Sequence, residues 1–222
     1  MKPKIVSFSG IDGAGKSTQI NALKSRCEEM GLRAAVMPFW EKVAQLKHIR
    51  AAAGSAIFRG DQGVGSPLNP IHRKDKNMRS FPLTIVRLFL YLVDGLATRN
   101  AVKRALSSNS DLVIFDRYIY DELANLKLSH PLIRSYVRLI LRLAPKPDLS
   151  YILDADPVQA RARKPEYPLE FLMSHRESYL ELSKLADEIK IVLGLEIKEV
   201  GDIIARATFS LFPPTTPGRG TP

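Results

Sequence analysis

The sequence predicts an α/β fold with a parallel sheet of about five strands that is covered by helices on both faces. Two observations carry this prediction: short apolar, β-branched segments recur along the chain, and amphipathic helical segments separate them. Strands that alternate with helices need crossover connections, and these produce a parallel sheet with both faces buried. Ligands of such sheets bind where the carboxyl ends of the strands meet the loops that follow.

The individual elements follow from this pattern in chain order. The predicted strands cover residues 4–9, 33–39, 111–116, 149–154 and 195–200. The predicted helices cover residues 16–30, 41–53, 83–106, 120–127, 131–143, 168–187 and 202–211. A further helix starts at Asp156-Pro157, an N-cap acid followed by proline at the first helical position. The Gly- and Pro-rich stretch 59–82 has no periodicity, so we predict an irregular basic loop that is either functional or mobile.

Size and composition favour one domain that binds an anionic partner. We expect a single domain over residues 1–212, with a lid at about 157–168, and a disordered tail over 213–222. The net charge of +10 suits an anionic partner. Because the charge forms neither a basic tail nor a basic–aromatic stripe, it favours small phosphorylated ligands over nucleic acid.

Cysteine content and hydropathy bear on the cellular setting. The single cysteine, Cys27, excludes an internal disulfide and lies on an apolar helix face, where we expect it to be buried. The chain shows neither a membrane-spanning run nor a signal-peptide pattern, so the expected location is the cytoplasm.

The segment GIDGAGKST, residues 10–18, carries the strongest chemical signal. It fits the P-loop pattern and lies between a predicted strand and a predicted helix, which indicates a three-layer P-loop NTPase fold. Its glycines let backbone N–H groups converge on phosphate, and the helix N-terminus adds positive charge. Lys16 is expected to reach the terminal phosphates and Ser17 to bind Mg²⁺, so ATP and Mg²⁺ are the expected cofactors. The predicted nucleotide-binding residues are Gly10, Asp12, Gly13, Ala14, Gly15, Lys16, Ser17 and Thr18.

Two further groups of residues fit the chemistry of phosphoryl transfer. Asp116 ends the third strand, where an acid can hold Mg²⁺, and Arg117 would lie beside the transferred phosphoryl group. The alternative is a strand-ending acid paired with the arginine next to it. Arg161 and Arg163 precede two prolines and are predicted to belong to a lid that closes over ATP. Their alternative is a solvated helix end whose cations complement the helix dipole.

These features together resemble the thymidylate kinase family of nucleoside monophosphate kinases. The resemblance is carried by FSGIDGAGKSTQ, VIFDRY, LDADPVQARARK and PLEFLMSHRESYLELS, which match in order and spacing along most of residues 4–187. It implies transfer of the γ-phosphoryl group of ATP to a nucleoside monophosphate, most simply dTMP to dTDP, by a homodimer that uses Mg²⁺. It further implies that Arg117 binds the acceptor phosphate, that Asp12 lies near the acceptor, and that Arg161 and Arg163 belong to the lid.

The chain departs from that family in the acceptor half. The Arg-Glu-Pro segment usual after the second strand is replaced by MPFWEK, and Gly95 stands where the family usually has an arginine near the pyrimidine. The predicted acceptor contacts are Asp12, Trp40, Arg117 and Tyr118. Phe39 and Trp40 could stack on an acceptor base, although packing in the core is the default for both. The predicted catalytic residues are Asp12, Lys16, Arg117, Arg161 and Arg163. Two other functions stay open: a P-loop kinase for another nucleotide, a sugar or a lipid-linked intermediate, and a nucleotide-dependent switch.

Overall fold

The computed structural model describes residues 2–39, 81–194 and 196–213. Within these ranges one sheet contains five strands. They are β1 (Lys4–Ser9), β2 (Ala34–Pro38), β3 (Leu112–Asp116), β4 (Leu149–Asp154) and β5 (Ile189–Leu193). The described helices are α1 (Lys16–Glu29), α2 (Phe81–Leu106), α3 (Ile119–Leu123), α4 (Pro131–Leu143), α5 (Pro157–Arg163), α6 (Leu169–Ser183) and α7 (Ile197–Phe209).

The sheet is parallel throughout, and its strand order is β2-β3-β1-β4-β5. The first strand is therefore central and lies between β3 and β4. In the register of the sheet, Phe8 on β1 lies opposite Asp116 on β3, and Ser9 lies opposite Ile152 on β4. This arrangement brings the carboxyl ends of three strands together at one edge, where the loop after β1 begins.

Alternate strand residues supply two separate cores, because successive side chains of a strand point to opposite faces of the sheet. Phe8, Ile114 and Tyr151 pack with residues of α1 and α7 on one face. Ile5 and Phe115 lie in the second core, together with residues of α2, α3, α4, α5 and α6. The predicted α/β fold, with a parallel sheet between two layers of helices, is confirmed.

The most evident error of the sequence prediction is the last strand. Residues 195–200 were expected to form it, whereas β5 ends at Leu193 and α7 begins at Ile197. Val200 and Ile204 are both buried one helical turn apart, which is the periodicity of a helix face. The turn between β5 and α7 contains Gly194, where a Cβ atom would lie 3.0 Å from the carbonyl oxygen of Asp154.

Other boundaries shift by smaller amounts. The helix α2 begins at Phe81, inside the range expected to be loop, while α3 is shorter than predicted and α6 ends at Ser183. The predicted helix 41–53, most of the basic loop (59–80), Trp40 and the tail from residue 214 lie outside the described residues. Among the helices that are described, none combines the length and the apolar character needed to cross a membrane.

Candidate active site

The loop after β1 forms a backbone cradle at the carboxyl edge of the sheet. Gly10, Gly13 and Gly15 have φ angles of 139°, 84° and 88°, a region that side chains disfavour. A Cβ atom on Gly13 would lie 2.2 Å from the carbonyl oxygen of Ala160 on α5, so the loop and α5 are in direct backbone contact. The loop leads into α1, whose N-terminus starts at Gly15 and has no side-chain cap. The first N–H groups of a helix have no intrahelical partner, so this end of α1 suits a phosphate group.

Lys16 is buried at the base of this cradle. Its Nζ donates hydrogen bonds to the carbonyl oxygens of Gly10 (2.8 Å) and Ile11 (2.9 Å). Burial, together with the positive charge of Arg117, lowers the pKa of Lys16 from 10.5 to about 8, although nearby aspartates act in the opposite direction. The ammonium group is thus held within the loop that is predicted to bind phosphate.

Arg117 follows β3 and is joined to the loop by an ion pair. Its Nη2 donates to Oδ1 of Asp12 at 2.6 Å. The backbone of Arg117 is left-handed, with a φ angle of 70°, and is the one non-glycine residue with positive φ among those described. Such conformations cost about 1–3 kcal/mol and are concentrated at functional sites. The backbone geometry therefore turns this arginine towards the P-loop at a cost in stability.

The charges of this pair depend on each other. Burial opposes ionisation of Asp12, but Arg117, Lys16 and Lys164 outweigh it and hold the pKa of Asp12 below its ordinary value. Burial also opposes the charge of Arg117, yet the carboxylates of Asp121 and Asp12 raise the pKa of Arg117 above its ordinary value. Both groups stay charged over the whole physiological range as a result.

Asp121, which sequence reasoning missed, lies behind Arg117. It is in the first turn of α3, and its side chain is 2% exposed. Its carboxylate accepts hydrogen bonds from Ser9 Oγ at 2.6 Å, the Tyr118 backbone N–H at 3.0 Å and Tyr179 Oη at 2.8 Å. The Nη1 of Arg117 approaches it to 3.4 Å. The one signal in the sequence was the spacing of four residues from an arginine to an acid, which is common on helices without any such role.

The predicted lid segment begins as the helix α5, which packs on the P-loop. Asp156 caps the helix by accepting from the backbone N–H of Gln159 at 2.9 Å, as the Asp-Pro pair predicted. Arg163 Nη1 donates to the carbonyl oxygen of Gly13 at 3.3 Å, and Lys164 Nζ lies 4.0 Å from Oδ1 of Asp12. Arg161 is exposed on the same helix. Two cations of this segment therefore border the cradle.

Comparisons with known proteins find thymidylate kinases among the relatives of this chain. A thymidylate kinase of Prochlorococcus marinus (strain MIT 9312) is 29% identical over 173 residues, which cover 76% of this chain and 74% of that protein. A probable thymidylate kinase of Methanosphaera stadtmanae is 26% identical over 190 residues, 83% of this chain and 86% of its own. Another thymidylate kinase of Prochlorococcus marinus (strain MIT 9301) is 26% identical over 96% of this chain and 98% of its own. Over most of its length the chain is thymidylate kinase-like. No family model matches it.

In this thymidylate kinase-like chain the predicted magnesium ligands lie at the carboxyl edge of the sheet. Asp116 ends β3 and is half-buried, and Ser17 is exposed in the first turn of α1. One hydroxyl and one carboxylate suit Mg²⁺, which keeps several waters and otherwise binds the phosphates of its nucleotide. The described residues contain no group of three or more His, Cys, Asp or Glu side chains that could hold a metal by themselves. The residues present thus fit a metal that arrives with a nucleotide.

The predicted acceptor contacts divide into three cases. Asp12 and Arg117 meet at the P-loop through their ion pair. Tyr118 is instead fully buried: its hydroxyl donates to the carbonyl oxygen of Pro145 at 2.7 Å, and its ring packs on Phe39 and Phe115. We therefore leave Tyr118 out of the acceptor site. Phe39 likewise packs in the core, and Trp40 falls outside the described residues.

A second ion pair at this edge was also missed by sequence reasoning. Asp154 ends β4, and its side chain is 6% exposed. Arg176 on α6 binds it in a bidentate manner, with Nε at 2.5 Å and Nη2 at 2.8 Å from the two carboxylate oxygens. The pair fastens α6 to the end of the strand that neighbours the P-loop. Because 22 residues separate the partners, no local pattern could have predicted it.

Proposed function

We propose that this chain transfers the γ-phosphoryl group of ATP to a nucleoside monophosphate, with dTMP as the first candidate acceptor. The observation that carries the proposal is the ion pair between Arg117 and Asp12, since it joins the arginine after β3 to the P-loop. An arginine at this point can bind the phosphate of an acceptor while the loop holds the phosphates of the donor. Kinase activity is the function that the thymidylate kinase relatives support, and the acceptor and ATP are the parts that we add.

The residues of the chain would act mainly by positioning and by neutralising charge. The uncapped N-terminus of α1 and the glycine turns would hold the donor phosphates, and Lys16 would move from the loop carbonyls to the terminal phosphates. Arg117 would orient the acceptor phosphate, which is already an anionic nucleophile and needs no strong base. Mg²⁺ bound with the nucleotide would supply charge neutralisation between the phosphates, with Ser17 and Asp116 as the residues that would hold it.

The cations of α5 would complete this arrangement. Arg163 already contacts the P-loop through the carbonyl oxygen of Gly13, so it lies close enough to reach a bound nucleotide by a side-chain rotation. Arg161 is exposed on the same helix and would need a larger movement of the segment. Cations supplied by the same chain favour a transferase over a nucleotide-dependent switch, because switches often take such an arginine from a partner.

The test is the release of ADP from ATP and Mg²⁺ in the presence of a panel of nucleoside monophosphates that includes dTMP. Turnover that depends on one of them is the expected result, and the absence of turnover with every member would refute the proposal. Lys16→Ala should lower kcat/KM by about 100-fold or more, since a cation at the transferred group is lost. Lys24→Ala is the matched control, because Lys24 lies on the same helix and its ion pair is with the exposed Glu28.

A second candidate is a kinase of the same fold that phosphorylates a different small molecule. Gly95 favours it: a Cβ atom at this position would lie 3.2 Å from Cγ2 of Ile140 on α4. A side chain here would need Ile140 to give way by a few tenths of an ångström, and glycine itself supplies no group for the pyrimidine contact that the family resemblance leads one to expect. Stabilisation against heat by a sugar or another nucleotide, and not by dTMP, would select this candidate.

A further inference from the structure

We propose that Asp121 is the positioning residue for Arg117, and that Tyr179 links it to α6, the helix after the predicted lid. The inference rests on the proposed function, because it concerns how the arginine that would bind the acceptor is held. Asp121 itself would touch neither substrate.

Four donors from different parts of the fold converge on the Asp121 carboxylate. Its Oδ2 accepts from Ser9 Oγ and from the Tyr118 N–H, and its Oδ1 accepts from Tyr179 Oη and Arg117 Nη1. These donors come from the end of β1, the start of α3, the middle of α6 and the turn after β3. A buried carboxylate is costly unless its lone pairs are satisfied, and here the four donors satisfy them.

Asp121 also holds Arg117 at both its backbone and its side chain. Arg117 has a left-handed backbone that would relax without restraint. Its own N–H is bound by the carbonyl oxygen of Phe8 at 3.0 Å, and the next N–H, that of Tyr118, is bound by Asp121. The same carboxylate faces the guanidinium group at 3.4 Å. One side chain thus restrains the turn and the direction in which the arginine points.

Asp12, the other carboxylate on Arg117, differs from Asp121 in exposure and in partners. Asp12 is 18% exposed and has Lys164 at 4.0 Å as a second cation, so it can release Arg117 to an incoming phosphate. Asp121 is 2% exposed and keeps its three other donors whatever Arg117 does. The two acids therefore have different tasks: Asp12 is exchangeable, and Asp121 is a fixed anchor.

The contact with Tyr179 extends this anchor to α6. Burial, and then the charge of Asp121, raises the pKa of Tyr179 well above its ordinary value, so its hydroxyl remains a donor at any physiological pH. The rings of His175 and Tyr179 lie 4.8 Å apart on the same helix, so the phenol is also held from the side. A change in α6 would reach Arg117 through this hydrogen bond.

Asp121→Asn is the principal variant, since it keeps the shape and an acceptor oxygen but removes the charge that faces Arg117. We expect the KM for dTMP, or for the monophosphate that the panel selects, to rise about tenfold or more, because a hydrogen bond between charged groups is lost. The dissociation constant for a non-hydrolysable ATP analogue should change less than about twofold, since the hydrogen bonds of the Asp121 carboxylate go to Ser9, Tyr118, Tyr179 and Arg117 rather than to the N–H groups of the P-loop. An unchanged acceptor KM would overturn the proposal.

Tyr179→Phe tests the link to α6 and also serves if Asp121→Asn does not fold. It should raise the acceptor KM by a smaller factor than Asp121→Asn, in the same direction. The matched control is Tyr151→Phe, because Tyr151 is a buried tyrosine on the opposite face of the sheet whose hydroxyl contacts Thr208 at 2.8 Å. Equal effects of the two tyrosine variants on acceptor KM would mean that Tyr179 has only a structural role.

A readout that needs no turnover separates this proposal from the proposed function. The guanidinium NMR signals of Arg117 are identified by their absence from the spectrum of Arg117→Lys. In the unaltered protein they should show slow rotation of the guanidinium group and slow hydrogen exchange. Asp121→Asn should accelerate both about tenfold. If no monophosphate is turned over, the proposed function fails while this measurement still decides the anchor. Unchanged Arg117 signals in Asp121→Asn would refute the anchor even where the kinase is active.

Discussion

Replacement of Gly13 by alanine tests the contact between the P-loop and α5 more directly than any other single change. A Cβ atom at this position would lie 2.2 Å from the carbonyl oxygen of Ala160, a distance that must open to at least 3.0 Å. That oxygen also accepts the backbone N–H of Lys164 at 3.0 Å, and Ala160 is fully buried. The new methyl group must therefore push α5 away from the loop against a packed core.

The expected cost has two parts that a second variant separates. Gly13 has a φ angle of 84°, and alanine in this left-handed region costs about 1–2 kcal/mol. Overpacking of a well-packed contact adds about 1–3 kcal/mol. Gly31 has a φ angle of 74°, and a Cβ atom there would have no neighbouring atom within 4 Å, so Gly31→Ala carries only the first part. We therefore expect Gly13→Ala to be less stable than Gly31→Ala by about 1–3 kcal/mol.

Urea unfolding of both variants and the parent protein measures this difference. In a chain of this size it corresponds to a further fall in melting temperature of roughly 2–12 °C for Gly13→Ala. Gly13→Ala should also bind a non-hydrolysable ATP analogue more weakly, since the Arg163 contact moves with α5. Equal stability of the two alanine variants would refute the close packing of α5 on the P-loop.

The buried groups lead to three further expectations. Lys16 has a native pKa of about 8 against 10.5, so between these pH values the unfolded chain keeps a proton that the native state has released, and stability should rise with pH. The parent protein should therefore gain about 3 kcal/mol of unfolding free energy relative to Lys16→Met between about pH 7 and pH 11. Urea titrations at several pH values measure this difference, and a constant difference would contradict the burial of this charge. Arg176→Ala leaves the buried carboxylate of Asp154 without its bidentate partner and should lower the unfolding free energy by about 1–3 kcal/mol, measured by thermal unfolding. Arg33→Ala, at the exposed pair with Asp111, should cost less. Equal costs would refute the importance of the buried pair. Cys27 is fully buried, and burial raises its pKa to about 11. A disulfide reagent at about pH 8 should therefore label it only in urea. Rapid labelling of the native protein would show that the core between α1 and the sheet opens.

The elements that could be predicted from the sequence are those with a strong local signal. The bounds of β1, β4 and α4 match the predictions, because each is a run of apolar or amphipathic character with clear punctuation at its ends. The P-loop and the Asp156 cap are likewise local, since their function needs particular residues at fixed spacing. The error at β5 arose where apolar residues continue across Gly194 and both periodicities fit the segment.

The parts of the site that were missed depend on tertiary contacts. Tyr118 adjoins Arg117 in the chain, yet the left-handed turn sends the two side chains to different places. Tyr118 lies in the core, and Arg117 reaches Asp12 of the P-loop. Asp121 meets Ser9 and Tyr179 across 112 and 58 residues, and Asp154 meets Arg176 only after α6 has packed. Such networks carry no periodicity, and a sequence alone cannot rank one acid above another as their centre.

The transfer of label from γ-³²P-ATP tests the central claim most directly. The protein is incubated with labelled ATP, Mg²⁺ and the panel of nucleoside monophosphates, dTMP included, and the products are separated by chromatography. We predict that label appears in a nucleoside diphosphate, with dTDP as the first candidate. Lys16→Ala should lower its rate of formation by about 100-fold or more, while Lys24→Ala should leave it unchanged. Label found only in inorganic phosphate, at a rate that no acceptor changes, would contradict phosphoryl transfer as the function of this site.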